Sequence, residues 1–245
     1  MIGSLRVAVG TLTAIPVGAV ALTPATARGA MLVAPVAALP LGALVAFVCW
    51  AGSELSLPAV AVAFVAVGAL AAGSRALHLD GLSDVADGLT ASYDRERSLA
   101  VMKGGTAGPA GVVAVVVVLG IQATALAAFD DWLLAGALVC VSRAALWITC
   151  ARGVPAARSD GLGSAFTSSV PRTFVVVGWL VLAGLSALVD WWRGPLAVAL
   201  AALVVVLLVT RAVRRFGGVT GDVFGAAIEL ALAVLLLGFA PASGV

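Results

Sequence analysis

Long apolar runs, each close to the thickness of a bilayer, decide what this chain can fold into. A spanning helix needs about 20 mostly apolar residues. Seven segments approach that length, at about 30–52, 57–77, 108–129, 132–151, 173–190, 195–212 and 219–240. Charged residues make up 11% of the chain, against about 25% in soluble domains. The mean hydropathy is +1.17. The expected fold is an all-α polytopic membrane helix bundle of about seven transmembrane helices, with residues 1–245 forming one integral-membrane domain. Residues 1–27 are apolar but interrupted by Gly10 and Pro16. They read as an N-terminal interfacial or re-entrant segment, without a cleavable signal pattern.

The basic residues set an orientation. With the N-terminus inside, Arg143 lies within a span and Arg193 alone falls in an outer loop, so twelve of the 14 Lys and Arg face inward. Such a bias predicts a cytoplasmic N-terminus and cytoplasmic polar loops. A net charge of +2 with no basic run gives no reason to expect a nucleic-acid partner. Cys49, Cys140 and Cys150 fall inside apolar segments without paired spacing and read as small buried hydrophobes. His78 is the only histidine, which excludes a multi-histidine metal cluster.

One polar stretch stands out, His78-Leu-Asp-Gly-Leu-Ser-Asp-Val-Ala-Asp-Gly-Leu89, inside a cytoplasmic-side Asp-rich segment, 78–107. On a helix, offsets of four and seven place Asp80, Asp84 and Asp87 within an arc of roughly 60°. His78 points almost opposite and reads as structural. Three like charges on one face need a reason. A hard divalent cation, bridging carboxylates to substrate phosphates, supplies one; a solvated acidic face at the membrane surface is the alternative. Gly81 and Gly88 beside that face would admit a close backbone or ligand.

Three further clusters lie on the same side. Asp94-Arg-Glu-Arg97 precedes Met102-Lys103-Gly-Gly-Thr-Ala-Gly108, which reads either as a phosphate-binding approach through Lys103 and backbone N–H groups or as an ordinary juxtamembrane loop. Arg152 to Phe166 reads by spacing as a flexible inner loop. Asp222 and Glu229 lie seven apart on one face of the last span, with small Gly225 and Ala226 nearby. They form either a second half-site for metal facing the first, or a buried ion pair with Arg143. Arg143, within a span, must meet a carboxylate or a substrate phosphate.

Taken together, these blocks resemble the cobalamin synthase (adenosylcobinamide-GDP ribazoletransferase) family. The His78–Leu89 stretch matches its signature. Asp94–Arg97 with Met102-Lys103, Ser142-Arg143, Asp160-Gly-Leu-Gly163 with Phe166, and Gly217-Gly-Val-Thr-Gly-Asp222 through Glu229 resemble later blocks in the same order. Thr11-Leu-Thr-Ala-Ile-Pro16 resembles its N-terminal segment. The chain departs at Gly104-Gly105, where the family often carries an acidic residue.

The resemblance implies a bacterial inner-membrane, Mg²⁺-dependent transferase of cobalamin (vitamin B12) biosynthesis. It would join α-ribazole, or α-ribazole 5′-phosphate, to adenosylcobinamide-GDP with release of GMP, at a site facing the cytoplasm. On this expectation Asp80, Asp84, Asp87 and Asp222 are metal ligands, and Asp84, Asp222 and Glu229 are catalytic. Arg97, Lys103 and Arg143 hold phosphate. Partners are the two substrates and the lipid bilayer, with homo-oligomers and association with other cobalamin-assembly enzymes left open. A CDP-alcohol phosphotransferase has a similar aspartate-rich helix but places Ala-Arg after its first Asp-Gly, which this stretch lacks. An ion-coupled transporter is a different class; its internal repeats find no counterpart here.

Overall fold

The computed structural model describes residues 1–91 and 93–241, with backbone alone at Leu162. Fourteen helices follow one another among these residues: α1 (Ile2–Leu12), α2 (Pro24–Leu32), α3 (Ala34–Ala37), α4 (Leu39–Glu54), α5 (Ala59–Gly73), α6 (Leu77–Ala91) and α7 (Arg95–Met102). The second half holds α8 (Pro109–Leu126), α9 (Trp132–Ser142), α10 (Ala145–Thr149), α11 (Leu162–Phe166), α12 (Arg172–Ser186), α13 (Arg193–Phe216) and α14 (Gly221–Phe239). The all-α membrane bundle holds.

Among the described residues, helices long and apolar enough to cross a membrane on their own number fewer than seven. Four stretches are long and apolar enough to cross a membrane: α8, α9–α10 taken as Trp132–Thr149, α13 and α14. A fifth arises if the bent pair α5–α6 is one broken span. Proline explains one shortfall. Pro24, Pro35 and Pro40 each sit in the first turn of a helix, where a missing N–H is tolerated. Pro35 and Pro40 divide the 30–52 run into the end of α2, α3 and the 16-residue α4. Helix α12 is also apolar but stops after 15 residues.

Helix α14 is the hub. It packs against α6, α8, α9, α10, α11 and α13, and nearly its whole length from Val223 to Leu236 is buried. Its crossing with α6 is a backbone contact. A Cβ at Gly81 would lie 2.6 Å from the Asp222 carbonyl oxygen, and one at Gly225 would lie 2.8 Å from the His78 Cα. Only residues without a side chain allow that approach, and it sets the acidic stretch of α6 beside the start of α14.

The α5–α6 junction turns α6 through 90° relative to α5. The turn uses two consecutive left-handed residues, Arg75 (φ 56) and Ala76 (φ 54). Each L-residue there costs about 1–2 kcal/mol. Ala76 is exposed, so Ala76→Gly relieves that cost and returns part of it as chain entropy. Its thermal midpoint in detergent should rise by the equivalent of about 0.5–1 kcal/mol, while Ala76→Val lowers it.

The segment between α10 and α11 is pinned rather than loose. Ala157 N–H donates to the Val219 carbonyl at 2.9 Å, and Val219 N–H to the Pro155 carbonyl at 2.9 Å. Arg95 on α7 donates from Nε to the Phe216 carbonyl (2.7 Å) and from Nη2 to the Ala157 carbonyl (2.9 Å). The inner loop expected to be flexible is therefore clasped against the start of α14.

Candidate active site

The clasp and the glycine crossing together enclose a cavity of about 310 Å³. Its charged wall is built from Asp80 on α6, Asp222 on α14, and Arg158 and Asp160 on the clasped segment. Asp222 is held in place locally: the Thr220 hydroxyl donates to its Oδ2 at 3.0 Å while accepting from Val223 N–H at the helix start. Arg158 donates from Nη2 to the Leu99 carbonyl (2.8 Å), and its buried Nε has no protein partner.

The three aspartates of α6 have parted roles. Asp80 is exposed at the cavity and Asp84 is half-buried. Burial, and then the charges of Asp222, Asp80 and Asp87, push the Asp84 carboxyl up to about 6. The neighbouring carboxylates add to the effect of burial. Asp87 is buried and fully engaged elsewhere. It accepts from the backbone N–H groups of Gly108 (2.7 Å) and Gly111 (2.9 Å), satisfying orphan donors at the start of α8.

Of the other expected site residues, Lys103 alone reaches this wall. Lys103 pairs with Asp160 at 3.1 Å. That bond holds the Asp160 carboxyl below its usual range and keeps Lys103 near the cavity rim. Arg97 is exposed, and its N–H is capped by the Asp94 carboxylate at 2.7 Å. Glu229 shares the Asp222 face of α14 but is buried below the cavity. Its Oε2 accepts from Gln122 Nε2 at 2.8 Å, and its Oε1 lies 3.7 Å from His78 Nδ1. Arg143 is completely buried and donates from Nη1 to the Val139 carbonyl and the Ser142 hydroxyl. His78 is also among the residues lining the cavity.

Comparison with known proteins bears on what such a wall does. The cobalamin-5-phosphate synthase family model matches residues 4–240. The chain belongs to this family. Membership is reinforced by relatives named adenosylcobinamide-GDP ribazoletransferase. One from a Nocardioides species is 60% identical over 237 residues, covering 96% of this chain and 97% of that protein. One from Bradyrhizobium diazoefficiens is 36% identical over 246 residues, covering 97% and 93%. One from a Roseiflexus species is 38% identical over 206 residues, covering 82% and 75%. No solved structure matches.

Two polar residues of this family member escaped the reading by spacing. Arg158 lay in a segment read as loose, and only the pairing of residues 155–157 with Val219 carries it to Asp222. Gln122 is a lone amide in an apolar span, and that isolation was the available signal.

Proposed function

We propose that this multipass membrane protein is an adenosylcobinamide-GDP ribazoletransferase, working at the Asp80–Asp222 wall on the cytoplasmic side of the inner membrane. A ribose hydroxyl of α-ribazole, or of its 5′-phosphate, attacks the phosphorus next to the cobinamide linkage of adenosylcobinamide-GDP. The bond from that phosphorus to the bridging oxygen breaks, GMP leaves with the oxygen, and the acceptor's proton passes to a carboxylate or to water. The observation that carries the reading is the convergence of Asp80, Asp222 and Arg158 on one cavity in a member of this family.

A divalent cation fits this wall in a particular way. Among the described residues no three His, Cys, Asp or Glu side chains converge tightly enough to cage a metal. Mg²⁺ seldom asks for that; it keeps several waters and commonly takes one or two carboxylates plus substrate phosphates. Asp80, Asp84 and Asp222 are near enough for Asp80 and Asp222 to oppose ionisation of Asp84, a repulsion that a cation would relieve. Asp80 and Asp222, with Asp84 behind them, are thus the proposed holders of Mg²⁺, which when bound would neutralise the pyrophosphate oxygens. Arg158 supplies a fixed cation on the same wall, suited to phosphate. Asp80 and Asp222 orient the acceptor, and the clasp keeps the wall in register.

The test is turnover in nanodiscs with adenosylcobinamide-GDP and α-ribazole, following GMP and the cobamide product with Mg²⁺ and with EDTA. Both products should appear in Mg²⁺ and vanish in EDTA. Product formation unaffected by EDTA would remove the metal from the reading, and no product from folded protein would remove the reaction.

A further inference from the structure

The cavity lining is amphipathic, and only its charged residues are used by the chemistry above. Beside them the lining includes an apolar floor of Leu12, Met31, Leu146, Phe166 and Ile228, each no more than 4% exposed, with Phe224 as well. This floor is assembled from five separate helices, α1, α2, α10, α11 and α14. A floor closed from so many directions and still holding space is a built recess.

Resting on the transferase reading, we infer that this floor seats the aromatic base of the acceptor, with its ribose turned out towards Asp80 and Asp222. Three groups compete for the position, and their chemistry separates them. The corrinoid, a macrocycle bearing many amide arms, is too large for about 310 Å³, which lies near the low end of the roughly 300–1,000 Å³ range of small-ligand sites. Guanine presents several donors and acceptors on its edge. Against an apolar floor these would lose water without replacement, which is costly. A ribosylated benzimidazole has a flat, apolar bicycle with a single ring nitrogen to satisfy. Phe166 and Phe224 offer aromatic surfaces for such a ring. Seated there, the base directs the ribose and its attacking hydroxyl towards the charged end, where the phosphorus must be.

The N-terminal segment thereby gains a task. Leu12 on α1 supplies part of the floor from within it, and Met31 on α2 supplies more from just beyond it, so this part of the chain forms a wall of the acceptor recess.

Binding, measured without turnover, tests this. α-Ribazole is titrated into the full-length protein in nanodiscs, beside ribose 5-phosphate, which lacks a base, and beside adenosylcobinamide-GDP. Phe166→Leu keeps an apolar side chain but removes the ring. It should weaken α-ribazole by about tenfold, in the range expected for trimming an apolar pocket, and leave adenosylcobinamide-GDP unchanged. Equal α-ribazole affinity in wild type and variant overturns the inference, as does ribose 5-phosphate binding as tightly as α-ribazole. A second measurement needs no variant: an azidobenzimidazole riboside, photolysed on the wild-type protein, should label peptides containing Met31 or Phe166 and be displaced by α-ribazole. Labelling elsewhere, or displacement by phospholipid but not by α-ribazole, overturns it. Failure of the transferase reading looks different: α-ribazole binds in the recess but no GMP is released.

Discussion

Asp222→Asn should lower GMP release by roughly 10²–10³-fold, the cost of removing one well-placed electrostatic group from a reaction centre, while the protein remains folded. Asp222 lines the cavity and its neighbours are local: the Thr220 hydroxyl bonds its Oδ2, and the amide replacing it can keep that contact. What the amide cannot do is carry charge to a cation facing a pyrophosphate. Asp80→Asn, exposed on the same wall, should behave alike. Asp84→Asn separates function from stability. Its carboxyl is pushed up to about 6 by burial and by Asp222, Asp80 and Asp87, so the folded protein holds that proton more tightly than the unfolded chain. The metal-free fold is therefore penalised by Asp84 as pH rises from about 4 through 6. Removing the charge should raise the melting temperature at pH 7 in EDTA even as turnover falls. Asp87→Asn should do the reverse to the fold, because both Asp87 oxygens hold the start of α8. Steady-state GMP release and thermal melts with and without Mg²⁺ separate the wall variants from Asp84→Asn and Asp87→Asn. A fully active Asp222→Asn protein would take the wall out of the chemistry.

That contrast also marks how far spacing alone can reach. The period of α6 placed Asp80, Asp84 and Asp87 on one arc, and the helix Leu77–Ala91 carries them so. Asp87 nevertheless turns to N–H groups 21 and 24 residues along the chain, a distance over which periodicity says nothing. The same holds for Gly81: its smallness announced a close approach, yet the backbone that arrives belongs to Asp222, over a hundred residues away. Hydropathy located the apolar mass but overstated the number of long spans, because it averages over Pro35 and Pro40, each of which restarts a helix. Local rules give helices and faces; the cavity, a product of six packed elements and a two-bond clasp, required the tertiary contacts themselves.

The largest stability effect should come from Arg143, deep beneath the site. Its guanidinium is wholly buried. Nη1 is satisfied by the Val139 carbonyl and the Ser142 hydroxyl, but Nε and Nη2 have no protein acceptor. Its compensating charge is Glu229, which is shared with Gln122 at 2.8 Å and faces His78 at 3.7 Å. These two charges are not in contact, yet in a medium of low polarity each makes the other tolerable. Arg143→Met should therefore cost about 3–5 kcal/mol, as when one member of a buried pair is removed. Arg143→Met combined with Glu229→Gln should recover a part of that, on the order of 1–3 kcal/mol, since the stranded carboxylate goes with its partner. Unfolding in mixed micelles, followed by denaturant for all members of the cycle, measures the coupling. Strict additivity would mean that Arg143 serves its own helix alone, through Val139 and Ser142. Positive coupling would make the buried cluster the tie that fixes α9 and α8 to α14. The register of α14 against α6 at Gly81 and Gly225 then depends on a charge pair well inside the bundle, and so does the meeting of Asp80 with Asp222.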